Sequence, residues 1–579
     1  MVSLLRLLGA HLPPYRGALA LLVLLQLAQT ATTLSLPALS ADIVDNGVVA
    51  GDTGRIARTG LIMVVVAMVQ VGTSVVAVWL GSRTATALGR DLRSAVFRRS
   101  HDLSVHQAAR FGTSSLVTRT VNDVQQVQSL VLTALNVALA APFVCAGGVL
   151  LAMRADVPLA GLITAIVPAV AITATIILAR MSPLYARMQA GLDGIAQVLR
   201  EQITGVRVVR AFVRDEHERQ RFARANAGLL GVSLRVGRLT AAMFPAVLLV
   251  MNLFSVALLY AGAVRIDAGQ VRLGTLNAFL GYQALILMAT VSAMLVFLTM
   301  PRADVSARRI RDLLGTTPGV LSAGQPRDPG TARGTVMVRA AQFGHPGAEQ
   351  PILSDIDLVA RPGETVAVIG STGSGKTTLL ELVVRLLDVT AGSVEVDGVD
   401  VREMSRAALS RTVALVPQQP YLFSGTVATN LRFGAPDSDD AELWHALEVA
   451  QAREFVERMP GGLDAPLSQG GTNVSGGQRQ RLCIARAVVR RPRVYLFDDC
   501  FSALDAATEA AVRDGLAAHT ADATVVMVAQ RVSAIRDAHR ILVLDRGHVV
   551  GAGTHAQLIE ANGTYREIAA SQMEPQDMS

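Results

Sequence analysis

The residues with the clearest chemical content lie in the second half of a 579-residue chain. The run Glu364–Ile369 reads as a buried strand and leads straight into Gly370-Ser371-Thr372-Gly373-Ser374-Gly375-Lys376-Thr377-Thr378. Glycines at this spacing, closed by Lys-Thr and set between a strand and a helix, form a phosphate-binding loop. The glycines let backbone amides turn toward an anion, and the helix N-terminus presents more of them. Lys376 reaches the terminal phosphates of a nucleoside triphosphate, and the Thr377 hydroxyl is a magnesium ligand. A second strand, Val494–Phe497, ends in Asp498 and Asp499. A carboxylate at that strand end can hold magnesium through water, and the next acidic residue lies where it can orient an attacking water.

Lys376 is the sole lysine among 53 basic Lys and Arg residues. Codon bias toward GC-rich triplets accounts for the arginine excess but not for the one lysine left. A compact ammonium on a flexible stem suits a phosphate loop, and a planar guanidinium substitutes for it badly. The cysteines carry no chemistry of their own. Cys145, Cys483 and Cys500 are scattered, without a CxxC pair, which argues against disulfides and a zinc site.

These residues need a scaffold, and composition says what kind. Hydrophobic residues make up 51% of the chain and charged residues only 17%, a balance that points to a bilayer. Six long segments have no Asp, Glu, Lys or Arg: Gly17–Ala41, Thr59–Ser82, Gln125–Met153, Val157–Ala179, Leu239–Val264 and Leu273–Pro301. Each is long enough to cross the hydrocarbon core, which needs roughly 20 residues. A later uncharged window, Thr412–Leu431, holds Pro417, Gln418, Gln419, Pro420 and Asn430, and lipid would leave those groups unsatisfied. The first segment is too long for a signal-peptide core and is followed by five more.

Arginine placement gives the orientation. The stretch between spans two and three carries Arg83, Arg90, Arg93, Arg98, Arg99, Arg110 and Arg119, and the stretch between spans four and five is richer still. The first loop instead has Asp42, Asp45 and Asp52 against Arg55 and Arg58. Basic loops stay inside, so both long loops and both termini face the cytoplasm. The net charge of +7 then needs no nucleic-acid partner. The long loops read as membrane helices continued into the cytoplasm, with turning points near Arg110–Asp123 and Ala211–Phe222. The expected organisation is a multi-domain membrane protein: an all-α six-helix transmembrane domain over residues 1–315, a Gly/Pro/Ser/Thr-rich linker over 316–333, and an α/β P-loop NTPase domain over 334–579.

Between the two phosphate-site strands stands Val474-Ser475-Gly476-Gly477-Gln478. This segment strongly resembles the signature sequence of ATP-binding cassette (ABC) proteins. With six spans ahead of it, nearly the whole chain resembles a half-transporter of the ABC exporter type. The motifs fall in family order: the phosphate loop, Gln418 in Val416-Pro417-Gln418, the signature, Asp498, and Ser502-Ala503-Leu504-Asp505. The resemblance implies ATP and Mg2+ as cofactors, with Thr377, Gln418 and Asp498 around the metal. It implies two such domains enclosing two ATPs head to tail, each site pairing one chain's phosphate loop with the other chain's Ser475, Gly476, Gly477 and Gln478. It also makes the two turning points coupling helices.

Three positions depart from that family. Asp499 stands where Glu is usual, one methylene further from an attacking water. Gln530, in Ala529-Gln530-Arg531, stands where His is usual; its amide can hydrogen-bond a γ-phosphate but cannot take up a proton. His345, in Phe343-Gly344-His345-Pro346, aligns with the aromatic that stacks on adenine. Asp499 and Gln530 weaken one step, water attack, while the binding residues are intact. The pattern resembles the degenerate half of heterodimeric ABC exporters. The expectation is ATP-driven export or flipping of a hydrophobic or amphipathic drug, lipid or peptide, with a second half-transporter as partner and membrane lipids around it. A homodimeric exporter, an importer on the same fold, and a membrane-anchored sensor are the alternatives. Asn136, Asn252, Asn277, Phe279, Tyr282 and Gln283 are candidates for a substrate cavity, with helix packing as the competing role.

Overall fold

A computed structural model describes residues 2–320, 323–330, 332–345 and 347–572. Leu321, Ser322 and Thr331 of the expected linker, and Pro346, lie outside the described residues. The chain divides into two units, one made of Met1–His101 and Gly112–Thr316, the other of Asp102–Phe111 and Thr317–Ser579.

Among the described residues, the first unit has six helices long and apolar enough to cross a membrane: Pro13–Val48, Thr53–Asp102, Thr113–Ala155, Val157–Thr204, Asp215–Asp267 and Leu273–Leu314. Several run well beyond the uncharged segments. The fifth has 53 residues, about 80 Å at the helical rise and more than twice a hydrocarbon core. Pro37, Pro168, Pro183, Pro245 and Pro301 lie inside these helices, where neighbouring helices absorb the lost hydrogen bonds. Single π-helical turns occur at Val44–Val48, Arg119–Asp123 and Ala134–Ala138. The fourth and fifth helices pack along one another most extensively. Small residues permit close approach elsewhere: a Cβ on Gly148 would meet Ile286 and Leu34, and one on Gly262 would collide with Leu276.

The turning points fall earlier than the sequence suggests. Gly112, at φ 77, breaks the chain after a short helix, Val105–Phe111, and Thr113 already starts the third membrane helix. The second short helix is Val206–Ala211. Asp215, Glu216 and Glu218 then sit in the first turn of the fifth helix, where acidic residues favour the positive end of the dipole. Basic charge marks both loops but does not locate a break; a left-handed glycine and an acidic first turn do.

The second unit holds a four-stranded antiparallel sheet and a six-stranded, mostly parallel one. The first contains β1 (Val336–Phe343), β2 (Leu353–Ala360), β4 (Ala391–Val396) and β5 (Val399–Asp400) in the order β2-β1-β4-β5. The second contains β3 (Thr365–Gly370), β6 (Val413–Val416), β9 (Val494–Asp498), β10 (Thr524–Val528), β11 (Arg540–Asp545) and β12 (His548–Gly553), ordered β12-β11-β3-β10-β9-β6. Two short strands, β7 (Gly425–Thr426) and β8 (Pro466–Leu467), pair separately. Every residue of β9 and β10 is buried, as parallel strands covered on both faces require. The uncharged Thr412–Leu431 window forms β6, a loop and a short helix here; Asn430 accepts from Phe423 N and donates to Phe423 and Thr426 carbonyls.

Candidate functional site

The strand order decides what meets what. β3, β10, β9 and β6 are neighbours and parallel, so the residues just beyond their C-terminal ends converge. In open α/β sheets that edge is where ligands bind. It supplies the phosphate loop after β3, Gln530 after β10, Asp498 and Asp499 at the end of β9, and Gln418 after β6.

The phosphate loop is shaped by its glycines. Gly373 and Gly375 adopt φ values of 84 and 97, which only glycine takes at little cost. A Cβ on Gly370 would lie 2.0 Å from the Leu544 carbonyl, and one on Gly375 would lie 2.5 Å from Leu353. Lys376 opens the helix Lys376–Val383, and its Nζ donates to the Gly370 and Ser371 carbonyls at 2.8 Å each. Burial pushes the ammonium pKa down, against the pull of Asp499 and Asp498. Thr377 Oγ1 donates to Asp498 Oδ1 at 3.1 Å. Burial raises the Asp498 pKa, the Thr377 hydrogen bond opposes it, and the Asp499 charge adds to it. Ser374 is 2% exposed and its Oγ has no hydrogen-bond partner among the described residues.

These residues fit MgATP. The loop offers turned amides, an orphaned buried hydroxyl and a lysine whose carbonyl partners phosphate oxygens can replace. The Thr377 hydroxyl and the Asp498 carboxylate lie within hydrogen-bond distance, so both can face one hard cation, directly or through water. Thr372 lies within the loop, and Thr378 falls inside the helix that follows it.

Asp499 is the hub of the other half. Its backbone is left-handed at φ 46, an uncommon conformation outside glycine. Its N–H donates to the Val528 carbonyl at 2.9 Å, which turns the side chain back over the strand ends. It is 7% exposed. Oδ2 accepts from Gln530 Nε2 at 2.8 Å and from Gln418 Nε2 at 3.2 Å. Two amides from two different strands therefore converge on one carboxylate oxygen. A further clamp was not legible in the sequence: Gln572 Nε2 donates to the Gln530 carbonyl at 2.6 Å, and its Oε1 accepts from Val532 N at 2.8 Å. No motif marks Gln572; only the path of the C-terminal helix brings it there.

The signature segment stands apart from that cluster. Ser475 caps the helix Gly476–Val489 in a reciprocal box with Gln478. Ser475 and Gly476 are exposed, and Gly477 is half-buried close to the Ala503 carbonyl. Among the described residues, no hydrogen bond joins them to the phosphate loop of the same chain. They present a fourteen-residue helix N-terminus to solvent, an arrangement suited to an anion arriving from elsewhere.

His345 follows β1, and the loop after it returns through Ile352, whose N–H donates to the Phe343 carbonyl at 2.7 Å. Ile352 and Leu353 in turn touch the position a Cβ on Gly375 would occupy. The His345 loop thus lies beside the phosphate loop. Its ring meets Phe343 edge-on, with centroids 5.2 Å apart.

A phosphate-loop domain that follows six membrane helices in the chain defines a transport-coupled membrane ATPase, and the chain belongs to the ABC transporter family. Residues 19–291 match the ABC transporter transmembrane region and residues 353–502 the ABC transporter domain. An uncharacterised ABC transporter ATP-binding protein of Mycobacterium tuberculosis is 48% identical over 573 residues, covering 98% of both chains. A multidrug efflux ATP-binding/permease protein of M. tuberculosis is 32% identical over 94% of this chain and 45% of its own length. The structure of a bacterial Atm1-family ABC exporter with ATP bound superposes with a TM-score of 0.83 over 97% of this chain and 99% of that one; at 24% identity this shows the shared fold. The protein is accordingly a multi-pass membrane ATPase coupled to transport, with its nucleotide-binding domain in the cytoplasm.

Proposed function

We propose that this chain is one half of a heterodimeric exporter of hydrophobic or amphipathic compounds, and that its own ATP site binds ATP and cleaves it slowly. The observation that carries the reading is the Asp499 carboxylate held at one oxygen by the amides of Gln530 and Gln418. Water attack on a γ-phosphate needs a positioned acceptor and a group that exchanges a proton. Here the shorter carboxylate is engaged by two amides, and neither amide can take up a proton. The binding side has no such deficit. Lys376 and the loop amides hold the triphosphate, while Thr377, Asp498 and Gln418 surround the magnesium position. MgATP, when bound, supplies the bond whose cleavage drives transport. The exposed Ser475–Gln478 helix end completes the partner's site, and that site carries most of the turnover.

The substrate class rests on different support. The membrane segments carry no charge across their apolar runs, so no fixed intramembrane charge selects an ionic cargo. The M. tuberculosis relative is named for multidrug efflux, and the 45% of it that is matched leaves room for a second such half in one polypeptide. Phe279 and Tyr282 are buried in the helix-packing core with Leu258 and Ile286, and Gln283 donates to Met251 O and Ser255. These three therefore serve packing. Asn277 donates to Ser40 at 3.1 Å. Asn252 is exposed, and Asn136, in a π-helical turn, has a buried Oδ1 without a partner among the described residues. Asn136 Oδ1 lies against Gly81 of the second membrane helix, where an added Cβ would come within 2.1 Å, so Asn136 also serves packing and Asn252 is the better candidate for meeting cargo.

Purifying the chain alone and together with candidate second halves tests the reading. The expected result is low ATPase alone and high, drug- or lipid-stimulated ATPase in the mixed dimer. A stable dimer of this chain alone, with full turnover that Asp499→Asn does not change, would overturn it.

A further inference from the structure

The short helix Val105–Phe111 belongs by chain position to the loop joining the second and third membrane helices, yet it packs within the nucleotide-binding unit. Its start is fixed by a reciprocal box: Gln107 N donates to Ser104 Oγ at 3.3 Å and Ser104 N donates to Gln107 Oε1 at 3.1 Å. Gln107 also bolts the segment to the chain entering the nucleotide-binding unit. Its Nε2 donates to the Thr317 carbonyl at 2.8 Å, and its Oε1 accepts from Gly319 N at 3.0 Å. Between these anchors, the His106 ring lies flat on His345, with centroids 4.5 Å apart and planes 19° from parallel. Phe343 meets the same His345 ring edge-on.

We propose that His106 is a positioning residue for the nucleobase: it backs one face of His345 so that the other face is presented to adenine. The proposal rests on the reading that His345 carries adenine. An imidazole is a smaller stacking platform than a phenol ring, and a lone histidine after β1 can rotate about two side-chain bonds. A ring stacked behind it and a second ring at its edge remove that freedom before the base arrives. Aromatic pairs in such geometry contribute roughly 0.5–1.5 kcal/mol, which converts to about a two- to tenfold change in affinity. Because His106 sits on the membrane-helix loop, base occupancy would be sensed directly by that loop, separately from the phosphates.

The test needs a readout that a merely structural contact would not move. Full-length protein in lipid nanodiscs is loaded with a fluorescent ATP analogue carrying its label on the ribose. The analogue is then displaced by ATP or by inorganic tripolyphosphate, which has the phosphates and no base. His106→Ala is expected to weaken displacement by ATP about two- to tenfold and leave tripolyphosphate unchanged. His106→Phe, which keeps a ring, is expected to restore it. In a His345→Ala background, His106→Ala should have no further effect. If His345→Ala lowers the ATP-to-tripolyphosphate preference but His106→Ala does not, the role of His106 is overturned and that of His345 stands. If His345→Ala itself leaves the preference unchanged, the adenine reading falls and takes this proposal with it. Equal loss of ATP and tripolyphosphate in His106→Ala would mean the helix only braces the domain, and would also overturn the proposal.

Discussion

The phosphate loop and the Asp499 cluster stand at the same edge of one sheet, on neighbouring strands, yet they are built to different ends. In the loop, Lys376 is paired with carbonyls that a ligand can replace, and the buried Ser374 hydroxyl is left without a partner among the described residues. In the cluster, the one carboxylate placed for chemistry is tied inward by Gln418 and Gln530, and the Gln530 loop is pinned again by Gln572. Binding depends on many weak donors at a helix end and tolerates no Cβ at the glycines. In the proposed reading, hydrolysis depends on the identity of two side chains, Asp499 and Gln530. That is why a site can lose turnover and keep affinity.

Experiments can break this contrast from either side. The largest effect is expected from Lys376→Ala, which removes a charge-assisted contact to the triphosphate. With such contacts contributing roughly 1.5–3 kcal/mol each, fluorescent-nucleotide binding should weaken by about 100-fold. Retained binding would show that the loop is not the holding half. Next comes Gly476→Asp, which sets a negative charge at the exposed helix end, where like charges facing each other cost several kcal/mol. Turnover of the assembled transporter should fall by tens of fold while nucleotide binding to this chain's own loop is unchanged.

Converting the cluster tests the proposed deficit directly. The pair Asp499→Glu with Gln530→His supplies a longer carboxylate and a proton-exchanging ring, and should raise single-site turnover by about tenfold or more. No gain would mean that the departures at these positions are neutral. In the mixed dimer, Asp499→Asn should change total ATPase by less than about twofold, since general-base losses of ~100-fold in a slow site are hidden by a fast one. The smallest effect is expected for Gln572→Ala. Losing its hydrogen bonds should cost about 1 kcal/mol locally, seen as faster amide exchange in the Gln530–Val532 segment with little change in ATP binding.

Much of this protein is written in local pattern. Uncharged runs long enough for a bilayer mark the six membrane helices, and glycines before Lys376 mark the phosphate loop, because both obey rules satisfied within a few turns of chain. The departures at Asp499 and Gln530 were equally legible, since residue identity alone limits their chemistry. The turning helices were not: the basic runs gave the side of the membrane, whereas Gly112 at φ 77 and the acidic start at Asp215 decided where the chain breaks. What only the tertiary structure decided are contacts between segments far apart in sequence. Strand order brings Gln418, Asp499 and Gln530 to one oxygen, the C-terminal helix brings Gln572 to that loop, and a capped short helix lays His106 on His345. No periodicity or motif encodes these meetings, because they arise from how separate elements pack and not from any one of them.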